Sequence, residues 1–221
     1  APLFDLWGFG FKNGLEPSKQ AIDSVKALVG MGRLCLERTP QGAVISTCDS
    51  LASNIIQLNF NAIAQGYTCD VIAEYLHSLG VHDMLVDVGE IYCEGLNPSG
   101  NAWSIGIDNP VDGNNSPGAD MRAVWTSDGA SCGIVTSGNY RKFYVRDGRK
   151  YAHTIDPRTG YPVSHNLLSA TVVAPTATDA DALATFFMVI GFDEAKEWVL
   201  AHDGLEACLI TTDSLWRSPG F

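Results

Sequence analysis

The chain has 221 residues, of which 46% are hydrophobic and 18% charged, with a net charge of −11 and a pI near 4.7. That size and balance fit one domain with a substantial core, and the acidity excludes a nucleic-acid backbone as partner and disfavours adsorption to anionic lipid. The sequence contains no apolar run of the length, about 18 residues, that a membrane-crossing helix needs.

Residues 18–29 place apolar side chains at Ile22, Val25 and Leu28 or Val29 behind Ser18. This predicts a short amphipathic helix with a Ser cap, ended by Gly30 and Gly32. Residues 43–47 and 55–60 read as strands. The stretch 58–63 is expected to be extended, with Ala64-Gln65-Gly66 turning the chain into a helix over 67–79. Val71, Ile72, Tyr75, Leu76 and Leu79 would form the apolar stripe of that helix, and Gly80 its C-cap. β-Branched residues then predict a strand over 84–91, so the whole stretch resembles a βαβ unit whose strand pairing the sequence leaves open. A strand over 103–107 lies between the turn stretches 97–100 and 108–118. Thr136-Ser137-Gly138 reads as a turn. The runs 140–146 and 149–155 flank Asp147-Gly148, a strong hairpin signal of type I′. A strand over 167–174, helices over 178–190 and 193–201 on either side of Gly191, and a strand over 207–212 complete the chain. Strands, a hairpin and helices without strict alternation predict an α+β fold, with mixed sheets and packed helices, in a single domain over residues 1–221. The six cysteines form no Cys-x-x-Cys pair and have no His at zinc-finger spacing. They read as small buried hydrophobes, with disulfides left open.

Two segments carry chemistry. Asp181 and Thr185 are four residues apart in the helix predicted over 178–190, so they share a face. A carboxylate and a hydroxyl on one face can hold a hard cation such as Mg²⁺, the ion that handles pyrophosphate. The plainer reading is capping: Thr178 as cap, with Asp179 and Asp181 favoured by the positive end of the helix. In residues 151–162 a titratable His153 precedes an Asp-Pro turn. His is the side chain best matched to general base work near neutrality. Strand alternation would put Tyr151, His153 and Ile155 on one face and Asp156 on the other. The plainer readings here are a hydrogen-bonded strand histidine and a good turn.

Four motifs, in order along the chain, resemble those of the FAD:protein FMN transferases, also called the ApbE family. Ala62-Ile63-Ala64-Gln65-Gly66-Tyr67 is similar to that family's Ala-Ile-Ala-Lys-Gly-Tyr element. Val86-Asp87-Val88-Gly89-Glu90-Ile91 resembles its Gly-Gly-Glu strand, and Thr136-Ser137-Gly138-Asn139-Tyr140-Arg141 its Thr-Ser-Gly turn. His153-Thr154-Ile155-Asp156-Pro157 followed by Asp181 and Thr185 completes the set. The resemblance implies an ApbE-like fold and Mg²⁺-dependent transfer of FMN from FAD to a Thr or Ser of a target flavoprotein, releasing AMP. It implies His153 as the catalytic base. Mg²⁺ would be held by Asp181, Thr185 and a backbone carbonyl of Ala64 or a neighbour. FAD would meet Ala64, Gln65, Gly66, Glu90, Thr136, Ser137, His153, Ile155 and Asp156. Gln65 stands where the family commonly has Lys, and Val88 where it has the first Gly of its pair. The implied partners are subunits of membrane redox complexes on the periplasmic face of the cytoplasmic membrane, with the whole protein lipid-anchored. The resemblance also leads us to expect that the chain lacks the family's N-terminal part, which would favour homo-oligomer formation through exposed apolar surface. Two other readings use the same residues: an FAD pyrophosphatase giving FMN and AMP, and a non-catalytic FAD-binding protein.

Overall fold

The computed structural model describes residues 2–9, 16–48, 58–114, 116, 118–140 and 143–221. The chain divides into two compact units, residues 1–59 with 155–162, and residues 60–154 with 163–221.

The first unit holds helices α1 (Pro2–Leu6) and α2 (Lys19–Lys26) and the antiparallel hairpin β1 (Leu34–Thr39) and β2 (Gly42–Thr47). Ser18 caps α2 by accepting the Ala21 N–H at 3.2 Å, as the sequence predicts. Leu3, Trp7 and Ile22 are buried. The Trp7 indole donates to the Gly160 carbonyl at 2.8 Å. Gly160 has φ +84°, and a Cβ there would stand 2.6 Å from Ile22 Cγ2, so only glycine fits this turn. Cys35 and Cys48 form a disulfide across the ends of the hairpin, with Cα atoms 5.4 Å apart. Both are exposed, so these two depart from the expected buried role. Cys69, Cys93 and Cys208 keep it.

The second unit is built on a six-stranded sheet in the order β12-β11-β10-β7-β4-β3, antiparallel throughout. Its strands are β3 (Met84–Asp87), β4 (Ile91–Glu94), β7 (Cys132–Gly138), β10 (Leu167–Ala174), β11 (Glu206–Thr211) and β12 (Leu215–Arg217). Alternation divides the two faces. Val135, Ala170, Val172, Ala174, Ala207 and Leu209 pack against α4 (Ala177–Ile190) and α5 (Phe192–Ala201). Ile134, Val173, Cys208 and Ile210 face the separate ribbon of β5 (Ser104–Asp108) and β6 (Met121–Thr126), through Ile105, Ile107, Ala123 and Trp125. Because β10 is covered on both faces, it reads as an almost unbroken apolar run. The hairpin of β8 (Phe143–Arg146) and β9 (Arg149–Ala152) turns at Asp147 (φ +49°) and Gly148 (φ +75°), the two positive φ angles of a type I′ turn.

Three expectations change in the stretch before residue 95. The strand expected over 55–60 lies outside the described residues at 55–57, and 58–63 carries no strand. Ala64-Gln65-Gly66 is the first turn of helix α3 (Ala64–Ser78), not a turn before it. The strand expected over 84–91 breaks at Val88-Gly89-Glu90, where Gly89 has φ +105°, so β3 and β4 form an antiparallel hairpin and no βαβ unit exists here. The buried face of α3 is the small-residue row Gly66, Cys69 and Ala73, whereas Tyr67, Val71, Tyr75 and Leu79 are exposed. Close approach to α4 selects small side chains, and a hydrophobicity pattern does not register them.

Candidate functional site

Helices α3 and α4 meet at their first turns. A Cβ at Gly66 would lie 2.6 Å from the Ala177 carbonyl carbon and 2.9 Å from Asp181 Cβ. The glycine therefore serves helix contact, although it weakens a helix interior by about 1 kcal/mol relative to Ala. The contact is fixed by Asp70 of α3, whose carboxylate accepts the N–H groups of Ala177 (2.8 Å) and Thr178 (2.9 Å). A carboxylate at the positive end of α4 satisfies donors that helix geometry leaves unpaired. Asp70 is not among the residues expected from sequence; its signal is the spacing of one helical turn from Gly66.

Capping does not account for Asp181. Thr176, not Thr178, is the N-cap of α4, accepting the Asp179 N–H at 3.0 Å. Its hydroxyl donates to the Asp179 carboxylate at 2.8 Å, so Asp179 occupies the third helical position. Asp181 lies five residues beyond the cap, two past Asp179, and is 5% exposed. Its Oδ2 accepts the Gly66 N–H at 3.1 Å. Burial pushes its carboxyl above the ordinary carboxylate value, against the smaller opposing effect of that bond. One helical turn further on, the Thr185 hydroxyl lies 3.3 Å from Ser137 Oγ at the end of β7. Asp181 and Thr185 thus put oxygen donors on one face of α4, with Asp181 against the start of α3 and Ser137 beside Thr185. This is the donor chemistry that fits a hard cation, Mg²⁺ above all.

The remaining sequence-predicted residues fall in several places. Gln65 donates its amide to the Val88 carbonyl at 2.9 Å, which ties the start of α3 to the β3–β4 turn. That turn is Glu90's position, and its carbonyl accepts the Cys69 thiol at 3.0 Å. The Ala64 carbonyl accepts the Thr68 hydroxyl at 2.7 Å and opens the helical ladder. Thr136 points to the opposite sheet face from Ser137, with its hydroxyl 2.8 Å from that of its cross-strand neighbour Thr171. Both lie within β7, so Thr136-Ser137-Gly138 is strand rather than turn. His153 is half-buried just after β9 ends, off the strand alternation. Its neighbour Thr154 donates to Asn139 Oδ1 at 2.8 Å, next to the end of β7, so His153 leaves the hairpin beside the strand that carries Ser137.

Ile155 and Asp156 belong to the first unit. Asp156 is an Asx-turn residue. Its Oδ1 accepts the Arg158 N–H at 2.8 Å and Nε at 3.1 Å, and its backbone carbonyl accepts from Gly160 at 2.7 Å. This carboxylate is engaged in its own turn, and Arg158 with it.

Comparison with known proteins gives one family. The family model described as ApbE family matches residues 1–209. An FAD:protein FMN transferase of Escherichia coli (strain K12) is 36% identical over 228 residues, covering 100% of this chain and 62% of the relative. Among solved structures, the flavinyl transferase ApbE of Pseudomonas stutzeri in its apo form superposes with a TM-score of 0.80 at 32% identity, covering 100% of this chain and 65% of that one. The flavin transferase ApbE from Vibrio cholerae gives a TM-score of 0.78 at 31% identity, with 100% and 67% covered. The α+β fold expected from the sequence is the fold of these structures.

Proposed function

The chain belongs to the ApbE family, and from that membership and the meeting of α3, α4 and β7 we propose that it transfers FMN from FAD to a Thr or Ser hydroxyl of a target flavoprotein. In this reading the pyrophosphate of FAD approaches the first turn of α3 and Asp181. The acceptor oxygen bonds to the FMN phosphorus. The bond from that phosphorus to the bridging oxygen breaks, AMP leaves with that oxygen, and the acceptor's proton passes to His153. Asp181, Thr185 and Ser137 would hold Mg²⁺, which when bound polarises phosphoryl oxygens and offsets charge on the leaving group.

The observation that carries the proposal is Asp181. It is a buried carboxylate that no cap requires, held by Gly66 and one helical turn from a hydroxyl pair. A cation there would offset the cost of its burial. The Escherichia coli relative, an FAD:protein FMN transferase, supports the reaction class. We extend the proposal to acceptors in membrane redox complexes, met on the periplasmic face by a lipid-anchored protein. The exposed Cys35–Cys48 disulfide supports an oxidising compartment.

The test is incubation with FAD and Mg²⁺, with and without a Thr-containing acceptor peptide. AMP release tied to covalent flavin on the peptide is the expected result. AMP and FMN release at equal rate without peptide would favour hydrolysis. FAD retention with no AMP would leave a binding protein.

A further inference from the structure

At the other end of α3, about 20 Å from Ala64 by helical rise, three side chains converge that the proposed reaction does not use. His77 lies in the last turn of α3, His82 follows it, and Glu94 ends β4. One ligand atom from each lies within 4.8 Å of the others. His77 Nε2 is 2.6 Å from Glu94 Oε2, and His82 Nδ1 is 3.6 Å from Glu94 Oε1. The two imidazoles stack with centroids 5.3 Å apart.

The backbone arranges this meeting. Gly80, at φ +82°, ends α3 with its N–H on the His77 carbonyl (2.9 Å), and the Val81 N–H returns to the Leu76 carbonyl (3.1 Å). This glycine C-cap reverses the chain so that His82 comes back over His77. Gly95, beside Glu94, has φ +65°, and a Cβ there would stand 2.8 Å from the His82 carbonyl oxygen. The missing side chain lets the His82 segment lie against the end of β4. Asp83 locks it there by accepting the Leu96 N–H at 2.7 Å. The buried Tyr92 hydroxyl donates to Glu94 Oε2 at 2.9 Å, the kind of outer contact that orients a ligating carboxylate.

We propose that His77, His82 and Glu94 form a binding site for Zn²⁺, with solvent at the fourth position beside the exposed His82. Two imidazoles and a carboxylate are a donor set that Zn²⁺ takes in tetrahedral geometry. Bonds of about 2.0–2.1 Å place tetrahedral ligands about 3.3 Å apart; the two imidazoles now meet different oxygens of Glu94, at distances on either side of that spacing, and binding would draw one of these oxygens between both. Nitrogen donors select Zn²⁺ over Mg²⁺, whereas the oxygen donors at Asp181 do the reverse. The chain thus carries two cation sites of different chemistry at the two ends of α3. The zinc site clamps the C-terminal end of α3 to β4 and takes no part in phosphoryl transfer.

The experiment is calorimetric titration of the chelator-stripped chain with ZnCl₂ in buffer containing excess Mg²⁺. His82→Asn, Glu94→Gln and Asp181→Asn are titrated beside it, and Co²⁺ absorption reports the geometry. One zinc-specific site with a tetrahedral Co²⁺ spectrum is expected. It should weaken at least about tenfold in His82→Asn and Glu94→Gln, in line with the effect of removing ligand support, and persist in Asp181→Asn. His82 is largely exposed, so its variant keeps the fold. Absence of zinc binding at tenfold excess, or zinc binding lost in Asp181→Asn but unchanged in His82→Asn, would overturn the proposal.

Discussion

Asp181 couples stability to function at a single residue. Its carboxyl is raised by burial, and a group raised in the fold stabilises it below the unfolded pKa, with that contribution lost as pH rises through the folded one. Above that folded pKa the ionised side chain therefore weakens the ligand-free fold. Asn keeps an acceptor for the Gly66 N–H and carries no charge. Asp181→Asn should raise the thermal midpoint in metal-free buffer at neutral pH and abolish any further rise on adding Mg²⁺. AMP release should fall at least tenfold, which is about 1.4 kcal/mol. A lower midpoint with activity retained would remove Asp181 from the site. His153 should behave differently, because a base acts on the transition state more than on bound substrate. His153→Ala should keep FAD affinity, measured by flavin fluorescence quenching, and lose about 10²–10⁴-fold in transfer. An equal loss of affinity would make His153 a binding group.

The meeting of α3 with α4 depends on what is absent. Helix propensity alone favours Ala over Gly by about 1 kcal/mol. At Gly66 the added methyl would meet the backbone of Ala177, which cannot rotate away. Overpacking of this kind costs about 1–3 kcal/mol. Gly66→Ala should therefore lower the urea midpoint and separate Gly66 from Asp181, reducing activity with the fold still present. Gly32→Ala, where a Cβ meets nothing within 4 Å, is the control and should be neutral. A Gly66→Ala variant as stable and active as the parent would show that the helices can part without consequence. In sequence Gly66 looks like a turn residue, because glycine marks turns more often than close helix contacts. Strand β7 was lost for a related reason: Thr, Ser and Gly in a row look like a loop until the register with β10 places them inside a sheet.

At the scale of the molecule, charge opposes the proposed substrate. A net charge of −11 repels an anionic dinucleotide, and the Debye length falls to about 8 Å at physiological salt. In Mg²⁺-free buffer, FAD association followed by stopped-flow fluorescence should therefore speed up as salt rises from about 10 to about 150 mM. Slower association would mean that local positive potential at the site outweighs the net charge. The chain spans 62% of the length of the Escherichia coli relative. The sequence by itself determined the α+β class, the type I′ hairpin, strand β10, the Ser18 cap and the family, because each rests on residues close in the chain or on motifs in fixed order. The i, i+4 spacing of Asp181 and Thr185 was legible for the same reason. Only the tertiary structure decided that Asp181 stands outside the α4 cap, that Ser137 and not Thr136 reaches Thr185, that Asp156 is engaged in its own turn, and that Cys35 pairs with Cys48. The Ser137 contact and the disulfide depend on which elements come together in space, whereas the cap and the Asp156 turn are local choices between competing hydrogen-bond partners that composition alone leaves open.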